Sequence, residues 1–405
     1  MIDPEYFESI IKKRSIFKGQ LFAKGMKDIK RCRRCILPAS LANITFDSYG
    51  VCNHCRKYES DFKDWELIKE RKKTEFEEIL EKAKRLKRPY DVLVPLSGGK
   101  DSTYAIYLCT KIYGLKTLSV TLDNGFLTQP AKDNIRNAIA SCDADHMFYT
   151  INRGNSSELF KVFTEKTGDF CNACMRGINY SIEFAARNFN IPLVIKGSGR
   201  RVQYVSQIKE VSSLNTASYF SNVIKNTGAE KKFRYLSLNK HKLEFQKIAG
   251  GMCDIIGIKR TSLMRFITQH IGMYDYIYLP FTEIIEILKK EMEWSDDSGS
   301  VEHLDCHLHD VPFFKDTLRI PGITKYTFHS SGLIRQGLMT REEALKKEAA
   351  EFQKKEPPKE LIEFLNENNI GYKVYLESVI SADKTRFEPK LQKVARDIYH
   401  RFRRL

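Results

Sequence analysis

From Tyr90 onward the chain alternates short apolar runs with longer segments of helical period: DVLVPL, TYAIYLCTKIYG, TLSVTLDNG, NIRNAIASC and HMFYTI follow one another with turn-forming residues between them. Short continuous apolar runs suit strands buried on both faces, and the longer stripes suit helices laid across them. The alternation predicts βαβαβ units, hence an α/β fold with a doubly wound parallel sheet. A further strand is expected in IPLVIKGSG (191–199), after a helix near Ile178 to Phe189. A last strand is expected in the run YDYIYLPFTEIIEILKK that starts at Tyr274, turning into a helix at Pro280 and Phe281.

On either side of this region, 90–293, the pattern changes. Residues 1–30 read as a lead-in, 31–58 as a small module with two C-x-x-C pairs, and 59–89 as a charged linker helix almost free of Gly and Pro. Within 90–293, residues 200–265 carry 13 Lys and Arg against 4 Asp and Glu and read as a basic helical insertion. Residues 294–405 read as a helical C-terminal region with the runs TREEALKKEAAEFQKK and PPKELIEFLNENN. Thr340 with Glu343 has the spacing of a capping box, and Pro357 and Pro358 mark the break before the next helix.

Composition narrows the classes. A chain of 405 residues with 42% hydrophobic residues buries a substantial core and is not mainly disordered, and its length suits roughly two to three domains. The net charge of +16 favours a polyanionic partner, whether nucleotide, nucleic acid or anionic membrane. No apolar run is long enough to predict a transmembrane helix, and the first residues lack the apolar core of a secretion signal. Ten cysteines, six of them in C-x-x-C pairs, then fit metal or redox chemistry in a reducing cytoplasm.

The sharpest motif is Ser97-Gly98-Gly99-Lys100-Asp101-Ser102, between the strand VLVPL and a helical run. Two glycines let backbone N–H groups approach phosphate oxygens, and the helix N-terminus and Lys100 add positive potential. Ser97 and Ser102 offer hydroxyls, and Asp101 suits either a helix cap or a ligand of phosphate-bound Mg²⁺. A bare Gly-Gly turn is usually only a turn; the complete SGGKDS resembles the PP-loop of the ATP pyrophosphatases, which cleave ATP between the α and β phosphates. That resemblance implies an adenosine contact at the end of the second strand, at Asp123 in LDNG, and a further nucleotide-binding strand end at Gly197 in KGSG, at the ligand edge of the sheet.

Cys32, Cys35, Cys52 and Cys55 form C-x2-C-x16-C-x2-C, the spacing of a structural Zn²⁺ held by four thiolates. For Cys171 and Cys174 three readings stand: a redox pair, a metal site completed by a third thiolate, or two unligated thiols near the nucleotide. Cys306 is the first choice of third ligand and Cys253 the second. A cluster held by three cysteines resembles the [4Fe–4S] centre of sulfur-inserting members of the PP-loop group. Cys109 and Cys142 lie on apolar helix faces and read as core. Glu302, His303, Asp305, His307 and His309 are the densest titratable group, and offer a general base or a metal ligand if brought near the nucleotide. Histidines and acids in such a run are otherwise simply solvated.

Taken in order, RCRRCILP (31–38), ITFD (44–47), GVCNHC (50–55), SGGKDST (97–103) and SGLIRQGLMTREEAL (331–345) resemble the N-acetyl sugar amidotransferases of bacterial surface-polysaccharide, including lipopolysaccharide, biosynthesis. The resemblance covers about residues 30–200 and 295–350. It implies that an N-acetylated sugar, free or nucleotide-linked, is adenylated on its acetamido oxygen by ATP and converted by ammonia to an acetamidino sugar. Lys100 and Asp101 would serve the chemistry, with Cys171, Cys174 and Cys306 beside it, and a partner glutamine amidotransferase would supply the ammonia. The chain departs from that pattern at SGSVEHLDCHLHD (298–310), where a Gly-Lys-His segment is expected, and in its basic insertion.

Two other classes compete. An RNA sulfurtransferase (tRNA thiolation) of the same ATP-using group would explain the charge, the basic tail with Arg396, Arg401, Arg403 and Arg404, and the third cysteine pair. A non-catalytic zinc- and ATP-binding scaffold would explain the cysteines, but not an intact phosphate loop.

Overall fold

The computed structural model describes residues 29–41, 44–199, 216–237, 267–277, 279–296, 305–352 and 357–381. The lead-in before residue 29, Cys253, Glu302, His303, the basic tail and most of the 200–265 insertion lie outside the described residues.

Period-two alternation decides which side of the sheet each strand residue serves. In β1 (Val92–Pro95) and β4 (Leu193–Lys196), Val92, Val94, Leu193 and Ile195 join one core, while Leu93 and Val194 join another on the opposite face. The first core is closed by α2 (Trp65–Arg85), α3 (Lys100–Tyr107), α4 (Gln129–Ser141) and α8 (Phe281–Met292). The second is closed by α6 (Cys171–Asn188) through Ile182, Ala185 and Ala186. Between these layers β2 (Thr117–Asp123), β3 (Ala144–Thr150) and β5 (Gln269–Gly272) complete a five-stranded, all-parallel sheet of order β3-β2-β1-β4-β5. The doubly wound α/β architecture expected from the alternation is the one observed. Strand order reverses between β1 and β4, and a crevice opens at such a switch point beyond the carboxyl ends of the strands.

Two expectations need correction. The last strand is Gln269–Gly272, not the YDYIYL run, because β4 is four residues long and its register, Leu193 opposite Gln269 to Lys196 opposite Gly272, ends there. Met273 and Tyr274 instead enter a 3-10 turn and bury fully in the first core, and Pro280 caps α8. Second, the helix expected near Ile178 to Phe189 is α6, which begins at Cys171 and follows α5 (Arg153–Thr167), so Cys171 and Cys174 sit in its first turn.

The described part of the insertion is helical, with α7 (Ala217–Ile224) followed by short turns. Tyr219, Phe220, Val223, Phe233 and Leu236 bury in a further core shared with α5 and α6. The same core takes in α9 (Asp310–Arg319), α12 (Lys359–Glu367) and α13 (Tyr372–Ser381). Cys109 and Cys142 are buried in the first core, the latter against Met292. Among the described residues no helix is long and apolar enough to cross a membrane.

Candidate nucleotide and metal sites

The phosphate-loop motif lies where the topology opens. Leu96 N–H still pairs with the Val120 carbonyl, 2.9 Å, so the strand holds until the residue before Ser97. The chain then turns at Gly98 with φ +81°, and a Cβ there would lie 2.2 Å from the Ala131 carbonyl oxygen. Only glycine fits that close approach to α4. Gly99 caps α3, its carbonyl accepting the Thr103 N–H and the hydroxyls of Ser102 and Thr103, each at 3.0 Å. The Ser102 hydroxyl also accepts the Ser97 N–H at 3.1 Å and meets Ser97 Oγ at 3.1 Å. The two serines therefore close the loop on itself, while the first-turn N–H groups of α3 have no intrahelical acceptor.

Lys100 is nearly covered. Its Nζ lies 3.2 Å from Asp101 Oδ2 and 4.6 Å from the Phe281 ring centroid, which holds the ammonium beside the helix terminus. The other Asp101 oxygen accepts the Tyr274 hydroxyl at 2.6 Å. Gly197, at the end of β4, packs so tightly on the start of α3 that a Cβ there would lie 2.3 Å from the Asp101 carbonyl oxygen. At the end of β2, Asp123 Oδ1 accepts the Gly125 N–H at 3.0 Å and Asn124 Oδ1 the Phe126 N–H at 2.9 Å. Ser97 to Ser102, Asp123 and Gly197 thus all lie at the carboxyl edge of the sheet.

Sequence reading missed Tyr274, Asn134 and Trp294. The Gly98 carbonyl accepts Trp294 Nε1–H at 2.9 Å and the Asn134 side-chain amide at 3.3 Å. Asn134 also pairs both ways with the Ser295 backbone, each bond 2.9 Å. A signal existed: Asn134 interrupts the apolar stripe Ala131, Ile135, Ala138 of α4, and a polar residue on a buried stripe needs a partner.

Cys171, Cys174 and Cys306 come into one neighbourhood on the same side. Asn124 Nδ2 donates to Cys174 Sγ at 2.9 Å, and His307 N–H donates to the Phe126 carbonyl at 2.8 Å, which brings the 305–309 segment against the end of β2. Burial pushes the Cys174 thiol up to about 11 and the Cys306 thiol up to about 12, the latter raised further by Cys174. Burial also raises Cys171 well above the usual thiol range, with Asp169 adding to the effect. All three are therefore neutral near pH 7. Beneath them the buried Lys315 pairs with Asp169. Asp305 places a carboxylate oxygen 3.9 Å from where a Gly99 Cβ would stand, close to the loop. His309 turns away toward Asp310 and Phe313.

The four N-terminal cysteines are drawn together as their spacing predicts. Cys32, Cys35, Cys52 and Cys55 are fully buried and their sulfur atoms lie within 4.8 Å of one another. The Cys32–Cys55 and Cys35–Cys52 sulfur separations are 4.0 and 3.7 Å. Four thiolates about 2.3 Å from a central Zn²⁺ would be about 3.8 Å apart, so the donor set fits a tetrahedral metal. Backbone N–H groups of Cys35 and Cys52 point at Cys32 Sγ, and that of Cys55 at Cys52 Sγ, as in paired knuckles. Among the described residues no other group of three or more His, Cys, Asp or Glu side chains is gathered this tightly.

The module is not isolated. Its apolar side, Leu37 and Leu41, packs with Ile320, Ile323 and Phe328. Arg341 Nε, in α11 (Arg341–Glu351), donates to the carbonyls of Cys32 and Cys35 at 3.1 Å. Arg31 pairs with the buried Glu348 at 2.9 Å. Ser331, in α10 (Thr327–Gln336), accepts the Ile36 N–H at 3.4 Å. α11 itself opens with the Thr340/Glu343 capping box expected from the sequence.

No protein-family model matches the chain. It is 26% identical over 171 residues to an uncharacterised protein of Methanocaldococcus jannaschii, a match that takes in 41% of this chain and 58% of that relative's length. A search of solved structures returns an NMN synthetase from Francisella tularensis, 14% identical, covering 61% of this chain and 96% of that one at a TM-score of 0.27. At that score the likeness is loose.

Proposed function

We propose that the chain is an ATP-using, adenylating enzyme of the PP-loop ATP pyrophosphatase type. Its substrate would be an N-acetylated sugar, free or nucleotide-linked, whose acetamido group becomes an acetamidino group in surface-polysaccharide biosynthesis. The observation that carries the ATP half is the SGGKDS turn after β1 at the β1/β4 switch point, with the α3 N-terminus and the Lys100 ammonium beside it. The sugar half rests on the sequence resemblance.

The chemistry has a physical logic. An amide oxygen is a poor leaving group; its attack on the α-phosphorus of ATP expels pyrophosphate and makes that oxygen part of a phosphate ester. Ammonia then adds to the carbon, and AMP departs with the oxygen. Lys100 and the loop N–H groups stabilise charge on the phosphates. Asp101, steadied by Tyr274, would help hold Mg²⁺, which neutralises phosphate charge when bound. Asp305, whose carboxylate comes near the loop, would take a proton from the attacking ammonia. The four-cysteine group would hold a structural Zn²⁺, and a partner glutamine amidotransferase or solution would supply ammonia.

The test is mass spectrometry of N-acetyl sugars and their nucleotide conjugates incubated with ATP, Mg²⁺ and ammonia. The expected product is lighter by about one mass unit, the difference between oxygen and NH, with pyrophosphate and AMP released. Pyrophosphate release with no change in any sugar would leave adenylation standing and remove the sugar assignment.

The convergence of Cys171, Cys174 and Cys306 favours a second reading, an RNA sulfurtransferase carrying a [4Fe–4S] cluster on those thiols. Their sulfur atoms are less tightly gathered than those of the N-terminal four. Iron in anaerobically purified protein, with RNA binding that weakens steeply with salt, would support it; no RNA binding at low salt would remove it. A non-catalytic scaffold predicts no pyrophosphate release under any condition.

A further inference from the structure

A Gly-Gly pair is the peptide unit with the lowest barrier to adopting alternative backbone conformations, since neither residue carries a Cβ. In a phosphate loop that freedom is a liability. A trans peptide places its C=O and N–H on opposite sides, so a rotated Gly98–Gly99 unit would present an oxygen to an anion in place of an N–H. The Gly98 carbonyl is where side chains from elsewhere in the fold hold this unit. It accepts Trp294 Nε1–H at 2.9 Å and the Asn134 amide at 3.3 Å, from two side chains that are each 2% exposed and arrive from α4 and from the residues after α8. Asn134 is itself fixed by its two bonds to Ser295. Gly98 is also packed closely on α4, where a Cβ on it would lie 2.2 Å from the Ala131 carbonyl oxygen.

With the carbonyl turned toward Trp294 and Asn134, the Gly99 N–H faces the other way, into the loop. There it reaches Ser97 Oγ at 3.5 Å, the far limit of a hydrogen bond, and so retains most of its donor capacity for a stronger acceptor. We infer that Trp294 and Asn134 are positioning residues that hold the Gly98–Gly99 peptide with its N–H presented to the β- and γ-phosphates, the part of ATP released as pyrophosphate. The inference rests on the reading of SGGKDS as a phosphate site. Neither residue touches the nucleotide; both act through one carbonyl.

The test is calorimetric binding of inorganic pyrophosphate with Mg²⁺, and separately of adenosine, to the full chain and to Trp294→Phe and Asn134→Ala. Trp294→Phe removes the N–H donor and keeps an aromatic ring in the site, with some loss of buried volume. Pyrophosphate Kd should rise about tenfold in each variant, with adenosine binding unchanged and Trp294→Phe still folding cooperatively. Trp294 also gives a direct signal: the chain has two tryptophans, so in a Trp65→Phe background pyrophosphate should shift the emission of Trp294. If the parent chain binds no pyrophosphate, the phosphate-site reading itself falls. If the parent binds it and a folded Trp294→Phe binds it equally well, the positioning role falls alone. Should Asn134→Ala fail to fold, Trp294→Phe decides.

Discussion

Lys100 is held between a carboxylate and an aromatic face at the start of α3, an arrangement that keeps a cation at the helix terminus even without ligand. If its work is to stabilise developing charge on phosphate, Lys100→Ala should lower ATP-dependent pyrophosphate release by at least about a hundredfold, the usual cost of removing such a group. Asp101→Ala should act in the same direction. Neither side chain belongs to the main cores, so both variants should stay folded, Asp101→Ala less stably because it removes the acceptor of the Tyr274 hydroxyl; full activity in either variant would dismiss the loop as the site. This loop was legible in sequence because its residues carry chemistry by type and by order. Tyr274 and Trp294 were not, because each looks like ordinary core material until the fold shows which oxygen it meets, and Asn134, a polar break in an apolar stripe, announced a partner without naming it.

His146 is the residue-scale counterpart away from the site. It lies on the edge strand β3, bonded to Ser119 Oγ at 2.7 Å, and burial lowers its pKa from 6.5 to about 4. The folded chain thus keeps it neutral while the unfolded chain protonates first on acidification. Its contribution to stability is complete above about pH 6.5 and is lost as the pH falls toward 4. The urea midpoint of the parent should fall between pH 6.5 and 5, before carboxylates titrate, and His146→Gln should show a shallower fall over the same range. Parallel profiles would mean that His146 is protonated in the folded protein as well.

At the scale of elements, strands β1, β2 and β4 and the helices around them follow the hydrophobic period closely, since a strand buried on both faces has little choice of residue, while β3, half-buried at the sheet edge, was marked by its place in the alternation. β5 was not, because a parallel strand exists only where its neighbour's register extends. The four cysteines show how far a spacing can be trusted: it specified the ligand set, but not what the module leans on. Cys32 and Cys35 offer their carbonyls to Arg341, and the module's apolar side is completed by Ile320, Ile323 and Phe328. Cys32→Ser should therefore lower bound zinc from about one equivalent and destabilise more than the module. In hydrogen exchange, protection should fall in 327–351 as well as in 31–58, while β1 and β2 keep theirs. Zinc loss without change in 327–351 would show that α10 and α11 stand on their own.

At the scale of the whole molecule, aromatic burial joins parts far apart in sequence: the described part of the basic insertion contributes Tyr219, Phe220 and Phe233 to a core. That core also receives the C-terminal helices, and it borders the Cys171, Cys174 and Cys306 group. Phe364 of α12 stacks on Phe170 with ring centroids 4.0 Å apart, one residue before Cys171, and meets Phe126 at the end of β2. Phe364→Ala should cost about 3–5 kcal/mol, as truncation of a buried phenylalanine does. The cavity opens beside the thiols, so their reaction with a thiol reagent should quicken under native conditions, while Cys109 and Cys142, buried in the sheet core, remain slow. Assigning the labelled cysteines by mass spectrometry separates the outcomes. Quickening confined to Cys171, Cys174 and Cys306 is what a C-terminal layer forming one wall of the candidate site requires; unchanged labelling in a destabilised variant would make that layer a domain apart.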